Sequence, residues 1–322
     1  MMNKAFRSFA PTAIFMIFSF AAAAAPKQIV VGALKGPSGI SMVQLFETPP
    51  LLSDGSKAQF VGVPSADLMI AKLVSGEYDA GVLPVNVAAK LYSAGIGLRL
   101  AAIVGDGMVS FLSIDRTIAS IADLKGKKVN VAGQGATPDF LFRALLKGAG
   151  MDPDKDIRLD YSLPYPETAA AIAAGKIAYA ILPEPFATMA RLANPDLRSP
   201  LDLGALWTKQ TGQASYPMTA FVVSSKLVSE RPQAVKAILR SYAASIDWVL
   251  ANPAEAGALV EKHELGLKAG IAAKAIPLSA FVFAPAQAAR PAVEALLGVF
   301  LELSPLSVGG KLPDDGFYAS FD

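Results

Sequence analysis

The sequence predicts an α/β protein of two lobes, each a mostly parallel sheet flanked by helices, with a ligand cleft between them. Three observations carry this. The chain has 322 residues, more than the roughly 100–200 that one domain needs. Apolar residues make up 53% and charged residues 17%, a composition that builds a buried core and excludes disorder. A strand–helix punctuation also returns at one fixed offset, that from Gly36 to Gly135.

The elements follow in order. Residues 1–25 read as a signal peptide. Lys4 and Arg7 form a positive start, residues 12–20 (TAIFMIFSF) an apolar core, and residues 21–25 a run of alanines that suits signal peptidase. Pro26 hinders a cut directly before it, so cleavage is expected near Ala24. The alternative, a retained anchor, is opposed by an apolar run too short for a bilayer of about 30 Å. Export without a cysteine to lipidate points to a periplasm.

Residues 29–34 (IVVGAL) form a buried strand, residues 36–39 a turn, and a helix runs through about Phe46. Residues 58–63 (AQFVGV) form a second strand. Pro64 and Ser65 open a helix that Gly76 stops. Residues 80–83 form a third strand, followed by Pro84, Val85, Asn86 and a helix to Leu91. Strands alternating with helices imply a parallel sheet. The pattern then returns: a strand at 129–132, Gly135-Ala136-Thr137 matching Gly36-Pro37-Ser38, a strand at 157–162, and a helix from Pro164-Tyr165-Pro166 to Gly175, which matches Gly76. Leu182-Pro183 after the strand at 178–182 matches Leu83-Pro84. The competing account is that all α/β sequences share such punctuation.

Beyond residue 195 the rhythm changes. Residues 217–224 (PMTAFVVS) read as a strand crossing back to the first lobe. Pro232 starts a helix carrying Val235, Ile238, Leu239, Tyr242, Ile246 and Val249 on one face, and Val293, Leu296, Leu297, Phe300 and Leu301 mark a late helix. The resulting organisation is a signal peptide at 1–25, a discontinuous first lobe of 26–108 and 217–322, and a second lobe of 109–216.

Composition removes several functions. The formal net charge is +2 with no Lys/Arg run, so no nucleic acid partner is expected. The absence of cysteine excludes disulfides, thiolate zinc sites and a Cys nucleophile. One histidine, His263, excludes a histidine metal cage and opposes a Ser-His-Asp triad. Asp152, Asp154 and Asp156 lack the glycine and terminal glutamate of a calcium loop. Gly133-Gln134-Gly135 lacks the third glycine of a dinucleotide fingerprint. No metal and no cofactor are expected.

Ligands of open α/β sheets bind beyond the carboxyl ends of the strands, which selects the candidate residues. Ser38 and Thr137 open the first helix of each lobe. Each can cap its own helix or meet a ligand, and the amides beside them suit an anionic group. Gly36 and Gly135 let backbone approach a ligand, or serve the turn alone. Lys35 is the cation of the first turn; it either pairs with an anion or is simply solvated. Ser65 and Asn86 close the other strand ends of the first lobe, Asn86 as a cap with a ligand hydrogen bond as a second role. Glu184 follows the third strand of the second lobe and can accept from a ligand or from its own helix. Tyr216 and Thr219 at the hinge, with Met218, and Tyr165 in the second lobe offer a wall. Core packing is the alternative for all four.

Four stretches carry a resemblance: residues 76–95 (GEYDAGVLPVNVAAKLYSAG), 121–150 (IADLKGKKVNVAGQGATPDFLFRALLKGAG), 173–190 (AAGKIAYAILPEPFATMA) and 222–256 (VVSSKLVSERPQAVKAILRSYAASIDWVLANPAEA). They resemble periplasmic substrate-binding proteins of ABC importers, of the nitrate/sulfonate/taurine type that shares its fold with thiamine-pyrimidine-precursor binding proteins. The resemblance implies a periplasmic-binding-protein-like fold. It also implies capture of a small solute by hinge closure and delivery to an ABC permease in the inner membrane. The solute class stays open among sulfonate, carboxylate, zwitterion and aromatic acid. A monomer that is not an enzyme is expected. The alternative is a biosynthetic enzyme on the same scaffold, menaquinone-pathway or pyrimidine-precursor-like, which an export signal opposes.

Overall fold

The computed structural model describes residues 28–321. The signal peptide and its cleavage near Ala24 lie outside the described residues. Ten strands appear in chain order: β1 (Val30–Leu34), β2 (Gln59–Val63), β3 (Ala80–Pro84), β4 (Leu98–Asp106), β5 (Val109–Ser113), β6 (Lys128–Val131), β7 (Arg158–Asp160), β8 (Tyr179–Pro183), β9 (Pro217–Ser224) and β10 (Phe281–Pro285). They form two sheets, ordered β10-β4-β9-β3-β1-β2 and β5-β8-β6-β7.

The sheets share a plan. In the first, β2, β1 and β3 are parallel and β9 lies antiparallel beside β3. In the second, β7, β6 and β8 are parallel and β5 lies antiparallel beside β8. Pro84 faces Thr219 in one and Pro183 faces Val109 in the other. The helices Ala66–Val74 and Tyr165–Ala173 stand at the sequence offset of the two Leu-Pro pairs. Each unit is therefore a parallel core plus one strand that has just arrived from the other lobe.

Side-chain sizes make this packing possible. Gly32 of β1 and Gly81 of β3 lack the Cβ that would collide with the thioether of Met69, so the helix Ala66–Val74 seats its methionine directly on the strands. The helix Pro232–Ala251 takes proline in its first turn, where no intrahelical donor is lost, and buries Val235, Ile238, Tyr242, Ile246 and Val249. Leu239 is only half-buried. Tyr242 reaches Ser41 at 2.9 Å. The helix Ala286–Leu303 buries Val293, Leu296, Leu297 and Phe300, and the Phe300 ring lies 5.4 Å from Phe140 of the second lobe. Buried side chains of both sheets join in one hydrophobic cluster, while Leu112, Ala180 and Leu182 of the second sheet belong to a second, smaller one.

The two crossings are tied together. β4 ends at Asp106 and β5 begins at Val109; the return enters β9 at Pro217. The Gly107 amide donates to the Tyr216 carbonyl (3.1 Å), and the Val109 amide donates to the Tyr216 hydroxyl (3.3 Å).

Several elements differ from the sequence reading. The helix expected through Phe46 is two short helices, Pro37–Ser41 and Val43–Glu47, separated at Met42. Strands β4, β5 and β10 and the helices Leu203–Thr211, Pro253–Lys262 and Ala269–Ala275 were not anticipated. β4 reads LRLAAIVGD, an apolar run without alternation that periodicity cannot assign. Among the described residues no helix is long and apolar enough to cross a membrane.

Candidate functional site

The strand ends of the two sheets meet. β1 leads into Gly36, whose φ of 118° needs glycine. A Cβ there would stand 3.8 Å from the ring of Phe186, just beyond β8. β3 leads into Asn86, which is 1% exposed. Its Nδ2 donates to the Gly135 carbonyl beyond β6 at 2.8 Å, and the Thr137 hydroxyl reaches its Oδ1 at 3.5 Å. Asn86 therefore meets Gly135 and Thr137 from the opposite side, and Gly36 faces Phe186.

The second lobe supplies an aromatic wall. The Tyr165 and Phe186 rings stack with centroids 5.3 Å apart and planes 13° apart. The Tyr165 hydroxyl sits over Gly133, where any Cβ would overlap it. Burial, with Asp139 nearby, pushes this phenol up to about 12, so it is a neutral donor at all ordinary pH. Sequence reasoning placed Tyr165 here and missed Phe186, although the Leu-Pro-Glu-Pro-Phe stretch ends on it.

Several amides of the turns are already used by the protein. The Lys35 amide donates to Val63 (2.8 Å) and that of Gly36 to Leu265 (3.1 Å). The Gly135 amide donates to the Asp139 carboxylate at 2.9 Å. The Ala136 amide goes to Gly133, and Pro138 has none. Asp139 is buried, and its other oxygen accepts from Arg143 Nε (3.0 Å) and the Tyr161 hydroxyl (2.7 Å). The start of the helix Thr137–Gly148 thus carries its own carboxylate, which complements the helix dipole. Glu184 does the same for Phe186–Ala193. It is 3% exposed, its Oε2 accepts the Thr188 amide (2.9 Å), and Oε1 pairs with Arg191 (3.0 Å).

The remaining candidates divide. Ser38 is buried and its hydroxyl donates to the Leu34 carbonyl (3.3 Å), beside the Gly36 turn. Lys35 is exposed, with its stem along Gly62 and Gly266. Thr219 is half-buried, paired with Pro84 at the end of β3. Ser65 is exposed and caps its helix by accepting the Leu68 amide (3.3 Å). Tyr216 is wholly buried against Trp207, 6.0 Å between rings, and its hydroxyl is used at the crossing. It belongs to the hinge core. His263 lies 2.6 Å from Glu47, with its ring 5.2 Å from that of Phe46 and tilted 42° to it. Among the described residues no His/Asp/Glu group is placed to hold a metal.

Known proteins resemble this chain in sequence and in fold. A nitrate/nitrite binding protein of Nostoc, NrtA, is 28% identical over 135 residues, which is 42% of this chain and 29% of that protein's length. The crystal structure of an ABC transporter protein from Parabacteroides distasonis is 30% identical, with a TM-score of 0.78 over 92% of this chain and 99% of that one. The periplasmic aliphatic sulphonate binding protein SsuA of Escherichia coli shares the fold at 21% identity, with a TM-score of 0.70 over 89% of this chain and 91% of its own. A family profile matches residues 53–262. Covering well over half of the sequence, and with both sheets inside a two-lobed fold held in common, that match makes this chain a member of the NMT1-like family.

Proposed function

We propose that this protein is the solute-binding component of an ABC importer. It captures a small organic solute between its lobes in the periplasm and presents the closed form to an inner-membrane permease. The observation that carries the reading is the meeting of four strand ends, with Asn86 bonded to Gly135 and Gly36 facing Phe186. A cleft between hinged lobes turns binding energy into closure, because only a ligand touching both lobes favours the closed form. A separate periplasmic carrier needs no reacting group, and the one histidine is engaged by Glu47.

The wall favours an organic solute over a bare oxyanion. The flat Tyr165–Phe186 face offers apolar area, with the Tyr165 hydroxyl at its rim. The Gly36 and Gly135 amides serve Leu265 and Asp139. The proposed contacts are Lys35, Gly36, Ser38, Asn86, Gly135, Thr137, Tyr165, Glu184 and Thr219, with Ser65 and Tyr216 acting through the scaffold.

A thermal-shift screen of the mature protein tests this against nitrate, taurine, alkanesulfonates, aromatic carboxylates and zwitterions. A ligand at one hundred times its Kd adds about 2.7 kcal/mol to stability. A clear rise in Tm with at least one organic solute is expected, and it should shrink in Tyr165→Ala. Turnover of a solute, in place of its unchanged recovery, would support an enzyme on this scaffold.

A further inference from the structure

Asn86 is hydrogen-bonded from both lobes. Its amide has two hydrogens to donate. Nδ2 lies 3.4 Å from the Ser307 carbonyl of its own lobe and 2.8 Å from the Gly135 carbonyl of the other. Ser307 is itself fixed, its amide donating to Ser304 (2.9 Å) and its hydroxyl to Phe300 (3.1 Å). The short helical turn Pro305–Ser307 packs on the helix Val85–Ser93 that Asn86 opens. One acceptor thus orients the amide from behind, and the second lies across the cleft. The Thr137 hydroxyl approaches Oδ1 from the far side at 3.5 Å.

We infer that Asn86 is an inter-lobe latch, a positioning residue whose amide joins the first lobe to the Gly135 carbonyl and so sets the ratio of closed to open protein. Opening exchanges this bond for bonds to water, so its net worth is small. Losing it lowers the closed-to-open ratio about two- to tenfold. A latch of that size leaves most of closure to the solute, yet it raises apparent affinity by enlarging the closed fraction. The inference rests on lobe closure as proposed above but on no particular solute.

The test needs no ligand. The chain has no cysteine, so Asp67→Cys and Glu167→Cys accept one spin label each. Both positions are exposed. They lie on the helices that follow β2 and β7, the edge strands farthest from the crossings in each sheet. Electron-spin distance distributions are recorded with Asn86 intact, with Asn86→Ala and with Asn86→Asp. With Asn86 intact a short-distance population is expected. It falls two- to tenfold relative to the long one in Asn86→Ala. It falls further in Asn86→Asp at neutral pH, where a carboxylate faces two carbonyls. Should Asn86→Ala not fold, the same-sized Asn86→Asp carries the comparison. Superimposed distributions, or only the long distance with Asn86 intact, overturn the latch. A lowered Tm with unchanged distances assigns Asn86 to the scaffold alone. Either result leaves solute capture standing, because the thermal-shift screen reads that separately.

Discussion

In the second lobe β7-β6-β8-β5 is the entire sheet. In the first, the matching β2-β1-β3-β9 continues into β4 and β10, and the long helices Pro232–Ala251 and Ala286–Leu303 lie against it. The two four-strand units finish their helices differently. The first lobe uses a hydroxyl at Ser65, whereas the second uses the carboxylates Asp139 and Glu184, each bound to an arginine. A small sheet has less apolar area to spend on order, so charged networks fix its cleft loops. The same plan is held by packing on one side and by polar chemistry on the other.

The largest test asks whether the lobes are independent at all. Because one hydrophobic cluster spans both, Phe111→Ala in β5 should cost about 3–5 kcal/mol and lower the stability of the whole molecule. The two tryptophans report separately, Trp207 from the second lobe and Trp248 from the first. Denaturation of Trp207→Phe and Trp248→Phe variants should give one shared midpoint. Two midpoints would divide the core.

Next come the caps. Glu184→Ala should cost about 1.5–3 kcal/mol, since it strips a buried amide and a guanidinium of a charged acceptor. Ser65→Ala should cost about 1 kcal/mol. Equal losses in urea titrations would erase the distinction between the lobes.

The turns should differ less. Gly36 sits at φ 118° and ψ −142°, a region almost reserved for glycine, so Gly36→Ala should cost about 1–3 kcal/mol. Gly135 has φ 76° and open space for a Cβ, so Gly135→Ala should cost about 1–2 kcal/mol. Thermal melts of both variants compare the two turns directly.

The smallest effect concerns the crossing. Burial pushes the Asp106 carboxyl above its ordinary 3.8, with Ser215 and Gly107 opposing, and its Oδ1 is buried without a partner. A raised folded-state value means that ionisation opposes folding. The penalty is absent below the ordinary carboxyl range and full above the raised value. Asp106→Asn should therefore raise Tm at neutral pH, with the gain fading as pH falls toward 3.8. A gain that stays constant with pH would show that charge is not its cause.

The repeat was legible because turns have strict chemistry. Gly76 and Gly175 both hold positive φ, and Leu83-Pro84 and Leu182-Pro183 both end third strands. β4 was not legible, because a run of Leu, Ala, Ile and Val without alternation fits either element until neighbours are known. At the cleft, the strand-end rule selected Asn86, Gly135 and Thr137, which lie within reach of one another, and Gly36, which faces Phe186. It could not foresee that Asp139 would take the Gly135 amide or that Leu265, more than two hundred residues away, would take that of Gly36. Those bonds depend on how distant segments pack, and no local pattern encodes them.

The position of the crossing strands has a mechanical meaning. β9 is central in its sheet, clamped between β3 and β4, whereas β5 is an edge. A torque at the crossing is therefore resisted by strands on both sides in the first lobe, which behaves as the fixed frame. The second lobe hangs from its margin like a door on its post. With strands about 4.8 Å apart, β7 lies about 14 Å from β5, and each 10° of rotation about β5 sweeps it roughly 2.5 Å. The helix after β7 begins with Tyr165, whereas Phe186 follows β8 beside the post, so the aromatic face reaches from the post toward the free end, and its Tyr165 half makes the longer stroke.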